Sequence, residues 1–181
     1  MRVISGMLRG LKLESLPGLD TRPTLDRVKE ALFSMLFDKC TDAVGLDLFS
    51  GSGALGIELL SRYGRECTFV DLSNEAIGII RKNIAKAHLE DKAHISREDA
   101  LSFVRRTDAR YDLIFMDPPY ASGLYENVLA LIKDRGILAP GGYITCECDA
   151  SCSISCEGFE VVKDKTYGKV RVCILKEAEQ S

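Results

Sequence analysis

Apolar residues between positions 28 and 36 follow a helical rhythm. Val28, Ala31, Leu32, Met35 and Leu36 recur at i, i+3, i+4, i+7 and i+8, one buried face of a helix. Thr24 stands where that helix would be capped, and Asp26 falls in its first turn, where the helix dipole favours a carboxylate. Ahead of it, two short β-like runs at 2–5 and 11–13 flank Gly6 and Gly10 and predict a hairpin. From residue 44 the rhythm changes to short apolar runs alternating with helical stripes. Strands are expected at 44–49, 67–70, 93–96, 111–116 and 143–148. A glycine-rich turn at 50–56 opens a helix that runs to about residue 63 with Leu55, Leu59 and Leu60 on one face. Ser73 caps a second helix with Ile77, Ile80, Ile84 and Ala87 in line, and a third is expected near 125–133. Runs at 159–162 and 170–175 read as a terminal hairpin turning near Tyr167 and Gly168.

Strands alternating with helices predict an α/β fold: a doubly wound, mostly parallel sheet ending in an antiparallel hairpin. The 181 residues are expected to form one domain, with an N-terminal hairpin and helix (1–40) appended to a core (43–177). Composition agrees with a folded soluble chain, at 46% hydrophobic and 28% charged residues. No apolar run approaches the roughly 18 residues of a membrane span, and no apolar leader opens the chain, so a cytoplasmic protein with no membrane partner is expected. The net charge of −3 excludes a uniformly basic coat but not a local basic patch.

Seven cysteines, an odd number without an export signal, read as reduced thiols. Cys146, Cys148, Cys152 and Cys156 lack the paired knuckles of structural zinc, and Cys146 and Cys148 would share one strand face, so no metal site is expected. His88 and His94 lack a metal-ligand pattern.

The chemistry is expected beyond the carboxyl ends of the strands, where ligands bind in such sheets. Acidic residues collect there: Asp47 in the first strand, Asp71 after the second, Asp99 after the third, Asp117 after the fourth. That field disfavours a phosphate and favours a cationic ligand with sugar hydroxyls. Gly51-Ser52-Gly53-Ala54-Leu55-Gly56 matches the dinucleotide fingerprint, so a nicotinamide-dependent dehydrogenase is a competing reading. Asp47 and Ser50 before the first glycine, and carboxylates where cations would serve phosphates, count against it. In Asp117-Pro118-Pro119-Tyr120 the two prolines fix the backbone and remove two N–H donors. The Asp117 carboxylate and the Pro118 carbonyl remain as acceptors for a planar amine, and Tyr120 offers a flat face for a base.

These motifs resemble the methyl-donor and amine motifs of S-adenosylmethionine-dependent amino-methyltransferases. With Arg2-Val3-Ile4-Ser5-Gly6, Arg9-Gly10, Arg22-Pro23-Thr24, the 26–33 segment and the 47–58 segment, the chain resembles the RsmD-type bacterial 16S rRNA guanine-N2 methyltransferases from Arg2 to its last strand. The resemblance implies a Rossmann-like methyltransferase sheet and S-adenosylmethionine as cofactor. It implies that Asp47, Phe49, Gly51 and Gly53 wrap the methionine end of the donor, with Ser50 in the same turn. Asp71, followed by Leu72, would meet the ribose, and Asp99 with Ala100 the adenine. Asp117, Pro118, Pro119 and Tyr120 would hold the target guanine. Arg2, Arg9, Arg22, Thr24 and Arg27 would contact RNA; Lys12, Arg105 and Arg106 are further candidates. The implied partner is 16S rRNA or a small-subunit assembly particle, engaged by a monomer. Asp-Pro-Pro-Tyr does not name the base, so an amino-methyltransferase acting on adenine in DNA or RNA stays open. A non-catalytic RNA-binding module is the alternative outside enzymes. The cysteine cluster is no part of the family pattern.

Overall fold

The computed structural model describes residues 1–17, 23–118 and 124–179, and only the backbone of residues 23–25. The strands are β1 (Val44–Leu48), β2 (Glu66–Asp71), β3 (Ala93–Arg97), β4 (Tyr111–Met116), β5 (Leu138–Asp149), β6 (Phe159–Tyr167) and β7 (Val170–Glu177). The helices are α1 (Pro23–Met35), α2 (Ala54–Ser61), α3 (Asn74–Ala87), α4 (Ala100–Arg106) and α5 (Leu124–Arg135). The strands form one sheet in the order β3-β2-β1-β4-β5-β7-β6. β1 to β5 run parallel, and β7 enters antiparallel between β5 and β6. The winding reverses between β1 and β4, the switch point at which such sheets bind ligands.

Both faces of the central strands are covered, which is why β1 and β4 read as nearly continuous apolar runs. Leu46, Leu48, Ile114, Met116, Ile144 and Cys146 pack with α4 and α5. On the other face Cys67 and Phe69 meet α2, α3 and the N-terminal segment, and Leu113, Phe115, Val172 and Ile174 meet α1. Gly56 lets α2 lie close to β2, since a Cβ there would stand 2.4 Å from the Phe69 ring.

The structure corrects several expectations. Residues 2–5 and 11–13 form no pair of strands. One antiparallel bridge joins Arg2 to Lys12, with hydrogen bonds from Val3 N–H to Leu11 O and from Gly10 N–H to Val3 O, both 2.9 Å. Residues between them turn away to bond α2, and Gly6 (φ +85°) lies so near the Ser61 carbonyl that no Cβ fits. Thr24 is no cap: α1 begins at Pro23, whose missing N–H and fixed φ suit a first helical position.

The stretch between β3 and β4 holds α4, which the sequence reading leaves out. Asp99 caps it by accepting the Ser102 N–H at 3.0 Å, while Ala100, Phe103 and Val104 are buried. Two turns are too few for a strong periodic signal. β5 starts at Leu138 and passes through Pro140-Gly141-Gly142, with an irregular register against β4 between Tyr111 and Leu113. β6 continues to Tyr167 over exposed Lys163, Asp164 and Lys165; as the edge strand it needs no apolar outer face, and charge blunts it against further pairing.

Candidate functional site

The carboxyl ends of β1, β2 and β3 are tied into one rim by backbone and side-chain bonds. Phe49 takes a left-handed turn (φ +61°), and Gly51 and Gly53 follow at φ +55° and +77°, so the chain doubles back into α2 within five residues. Ser50, buried, fastens this turn to β2. Its N–H donates to Val70 O and its Oγ accepts the Val70 N–H, both at 3.0 Å, while the hydroxyl proton goes to Asp47 O. Asp71 completes the tie: one carboxylate oxygen accepts the Gly51 N–H at 2.8 Å and the other the Ser73 N–H at 2.9 Å. The Glu98 N–H donates to Asp71 O at 3.2 Å, bringing the end of β3, and with it Asp99, to the same rim. Leu72 beside Asp71 is 68% exposed, an apolar side chain offered to solvent at this rim.

Asp47 has a different setting. It is 2% exposed and accepts the Gly56 N–H at 3.0 Å, anchoring the first turn of α2. Burial, reinforced by the charges of Asp117 and Asp71, pushes its carboxyl well above the usual range. Asp117 stands just past β4, and Pro118 is buried behind it. Burial of its carboxyl pushes Asp117 up to about 6. Ala100 is buried at the start of α4, and one Asp99 carboxylate oxygen is engaged in capping that helix. Pro119, Tyr120 and Arg22, and the side chain of Thr24, lie outside the described residues.

The predicted donor-site residues are thus gathered at one edge, and their chemistry fits S-adenosylmethionine. The Gly51 turn presents backbone in a left-handed conformation, with only Leu16 Cδ1, at 4.0 Å, near the place a Cβ would take. Each Asp71 oxygen keeps a lone pair for a hydroxyl. The carboxyls of Asp71 and Asp117 suit a ligand bearing a sulfonium and an ammonium.

The predicted RNA contacts are less concentrated. Arg2, Arg9 and Arg27 are exposed, with Arg2 3.4 Å from Asp26 in an ion pair that joins the N-terminal segment to α1. Arg105 and Arg106 lie on the α4 side of the sheet, Arg106 paired with Glu98. Two clefts lie away from the rim. One of about 360 Å³ is at the amino ends of the strands beside Lys39, Arg65 and Asp112, and one of about 610 Å³ is between α1 and the β6–β7 turn, lined by Arg27, Glu30 and Tyr167. Among the described residues no helix is long and apolar enough to cross a membrane. The cysteines are all unbridged, and Cys146, Cys148, Cys152 and Cys156 pack into or against the core beneath α5.

Two features escape the sequence reading. Glu147 on β5 stands beside Asp117. Glu58, with no solvent exposure, sits inside an otherwise apolar helix and binds Lys29, Arg62 and the backbone of the N-terminal segment. A charged residue in the midst of Leu55-Gly56-Ile57-Glu58-Leu59-Leu60 was the available signal for the second. Nothing local marks the first, because a glutamate alternating with apolar residues on a strand reads as a solvent face.

Residues 1–176 match the family described as Conserved hypothetical protein 95. The chain is 37% identical to the candidate rRNA methyltransferase YlbH of Bacillus subtilis (strain 168), covering 97% of this chain and 98% of the relative. It is 35% identical to ribosomal RNA small subunit methyltransferase D of Escherichia coli (strain K12), covering 94% of this chain and 86% of the relative. The solved structure of the candidate methyltransferase yhhF from Escherichia coli superposes with a TM-score of 0.89 at 34% identity, over 99% of each chain. The sheet order, the rim and these likenesses converge: the chain has a methyltransferase fold and belongs to the ribosomal RNA small subunit methyltransferase D (RsmD-type) family.

Proposed function

We propose that this protein transfers a methyl group from S-adenosylmethionine to the exocyclic N2 amine of a guanine in 16S rRNA, acting as a monomer on the rRNA or on a small-subunit assembly particle in the cytoplasm. The observation that carries this reading is the juxtaposition, at one switch point, of the Gly51 turn tied to Asp71 and the Asp117-Pro118 acceptors past β4. The names of the relatives support rRNA as the substrate class.

In this reading Asp71 accepts ribose hydroxyls on the lone pairs its backbone bonds leave, while Leu72, Asp99 and Ala100 border the adenine. Phe49, Ser50, Gly51 and Gly53 shape the turn around the methionine end, with Asp47 beneath it. The donor, when bound, supplies an electrophilic methyl. Asp117 and the Pro118 carbonyl each accept one N–H of the target amine, drawing its nitrogen out of conjugation with the ring, and Tyr120 stacks on the base. Positive charge grows on that nitrogen as it is alkylated, and Asp117 offsets it. Alignment of this kind is worth about 7–11 kcal/mol of a barrier. Arg2, Arg9, Arg22, Thr24 and Arg27 hold RNA with its target base unstacked.

The test is transfer of tritiated methyl from S-adenosylmethionine to small-subunit rRNA from cells lacking the protein, followed by nucleoside analysis. Label in N2-methylguanosine is expected. Label in N6-methyladenosine would replace this reading with the adenine one. Binding of RNA without transfer would replace it with a non-catalytic module.

A further inference from the structure

β5 brings a second carboxyl to the amine pocket. Met116 and Cys146 are register partners on adjacent parallel strands, and both side chains are buried with α4 and α5. The next residue on each strand, Asp117 and Glu147, therefore belongs to the opposite face, the one that α1 covers. The antiparallel neighbour of Glu147 on the other side, Val172, is fully buried in the cluster with Val28, Leu32 and Phe33 of α1. The strand end is held from behind, because the Tyr125 hydroxyl on α5 donates to the Glu147 backbone carbonyl.

Glu147 itself is half-buried. Among the described residues its carboxyl is acted on by no cation and no hydrogen-bond donor, and the one charge that reaches it is that of Asp117. Burial first, and then that charge, push its carboxyl up to about 8. A poorly hydrated carboxyl with no partner among the described residues is costly unless a ligand supplies one. Its placement beside the proposed amine acceptor makes a ligand the natural partner.

We propose that Glu147 is the specificity-determining residue of the pocket, accepting the guanine N1–H while Asp117 accepts the neighbouring N2–H. The proposal rests on the guanine-N2 reading above and deepens it. The atoms beside the reacting amine differ between the two purines. Next to N2 of guanine lie the N1–H donor and then the O6 acceptor. Next to N6 of adenine lie the N1 acceptor and then a C–H. An ionised Glu147 bonds guanine N1–H and repels adenine N1. A neutral Glu147 bonds both N1–H and O6 of guanine but only N1 of adenine. In either protonation state guanine makes one bond more, so the discrimination does not depend on which form is present.

The experiment uses an RNA fragment spanning the guanine found methylated, with that guanine kept or replaced by 2-aminopurine. The analogue keeps the N2 amine but turns N1 into an acceptor and removes O6. For the wild-type protein kcat/KM should fall about 10–100-fold with the analogue, the range of one lost specific base contact. Glu147→Ala should methylate guanine more slowly and treat the two bases within about threefold of each other, its removal cancelling the analogue's penalty. Glu147→Gln retains an acceptor and a donor and should recover part of the guanine preference. Each variant is checked for its donor-induced rise in melting temperature. A wild-type protein that methylates 2-aminopurine as fast as guanine overturns the proposal without recourse to any variant. So does a Glu147→Ala protein that keeps the wild-type ratio. A protein that binds rRNA but labels no guanine in the transfer test above overturns the methyltransferase reading instead.

Discussion

Asp47 and Asp117 lie on neighbouring strands, and their surroundings give them different work. Asp47 is sealed in, bonded to Gly56 and held well above the usual carboxylate range by burial, so it serves the loop's geometry. Asp117 lies at the outer edge of the site, and burial raises its carboxyl only to about 6, so it is largely ionised at neutral pH and available to an incoming amine. The pH dependence of the chemical step follows from that sign. Below about pH 6 Asp117 is protonated and cannot offset charge on the nitrogen, so single-turnover methyl transfer at saturating donor and RNA should rise with pH to a plateau above that value. Asp117→Asn keeps the size but removes the charge. It should lower the plateau on the order of 10²–10³-fold, abolish the rising limb and keep a donor-induced melting shift, smaller than the wild type's only above about pH 6, where the wild-type carboxyl is charged. Equal rates for the two proteins across the range would remove Asp117 from the chemistry. Asp117 is legible in the sequence because two prolines follow it and an apolar strand precedes it. Asp71 is only half legible. Its position at a strand end marks it for a ligand, but its bonds to Gly51 and Ser73 also make it a brace of the turn, which no residue pattern reveals. A substitution there would therefore disturb the loop along with any ribose contact.

At the scale of elements, the N-terminal segment shows what holds irregular chain to a regular core. Residues 1–17 form one antiparallel bridge and a few turn bonds of their own, and polar side chains of α2 and α3 take several of the backbone groups these leave. Glu58 accepts the Ile4 and Ser5 N–H groups at 2.8 and 3.0 Å, Ser61 Oγ accepts the Leu8 N–H at 3.0 Å, and Asn83 exchanges bonds with the Glu14 backbone while donating to Ser52 O. Lys29 reaches from α1 to Glu58 at 3.2 Å and to the Arg2 carbonyl, and Arg62 closes the group at 2.9 Å. The clamp thus joins α1, α2 and the segment carrying Arg2 and Arg9. Its members are unequal. Burial lowers the Lys29 pKa despite the attraction of Glu58, so Lys29 depends on its partner. Glu58 without Lys29 would still hold Arg62 and two N–H groups. Glu58→Ala should therefore cost about 3–5 kcal/mol in denaturant unfolding, the range for breaking a buried pair, and Lys29→Met clearly less. Equal losses would mean that the pair acts only through packing. Elements with strong local signals, such as the Ser73 cap of α3 and the apolar stripe of α1, are visible in the sequence because neighbours in the chain create them. The clamp is invisible for the opposite reason: apart from Glu58 and Arg62, four residues apart, its partners are 27 to 69 residues apart.

Across the whole molecule, parallel winding sends five strand ends to one edge, and that edge concentrates acidic groups in a chain whose net charge is only −3. The crowding has a thermodynamic signature. Asp47, Asp117 and Glu147 all have folded-state carboxyls raised above their ordinary values, chiefly by burial. The native state therefore holds protons that the unfolded chain has already released. A raised carboxyl favours the folded state below its unfolded value, near 4, and that advantage is lost as pH rises through the folded value. With Asp117 at about 6 and Glu147 at about 8, the loss falls across roughly pH 4 to 8. The melting temperature of the free protein should decline over that interval, and Glu147→Gln should flatten the alkaline part of the decline. The donor and its demethylated product then separate on charge alone, because S-adenosylmethionine carries a sulfonium where S-adenosylhomocysteine carries a neutral thioether. As the edge ionises, the cation gains attraction that the thioether does not, so the melting shift produced by the donor should outgrow that of the product as pH rises. Near pH 5, where Asp117 and Glu147 hold their protons, the two shifts should draw together. Scanning calorimetry with each ligand at matched saturation, at half-unit steps of pH, measures both curves. A constant gap between them would show that the carboxylates of this edge do not act on the sulfonium, and that the donor is held by its sugar and base.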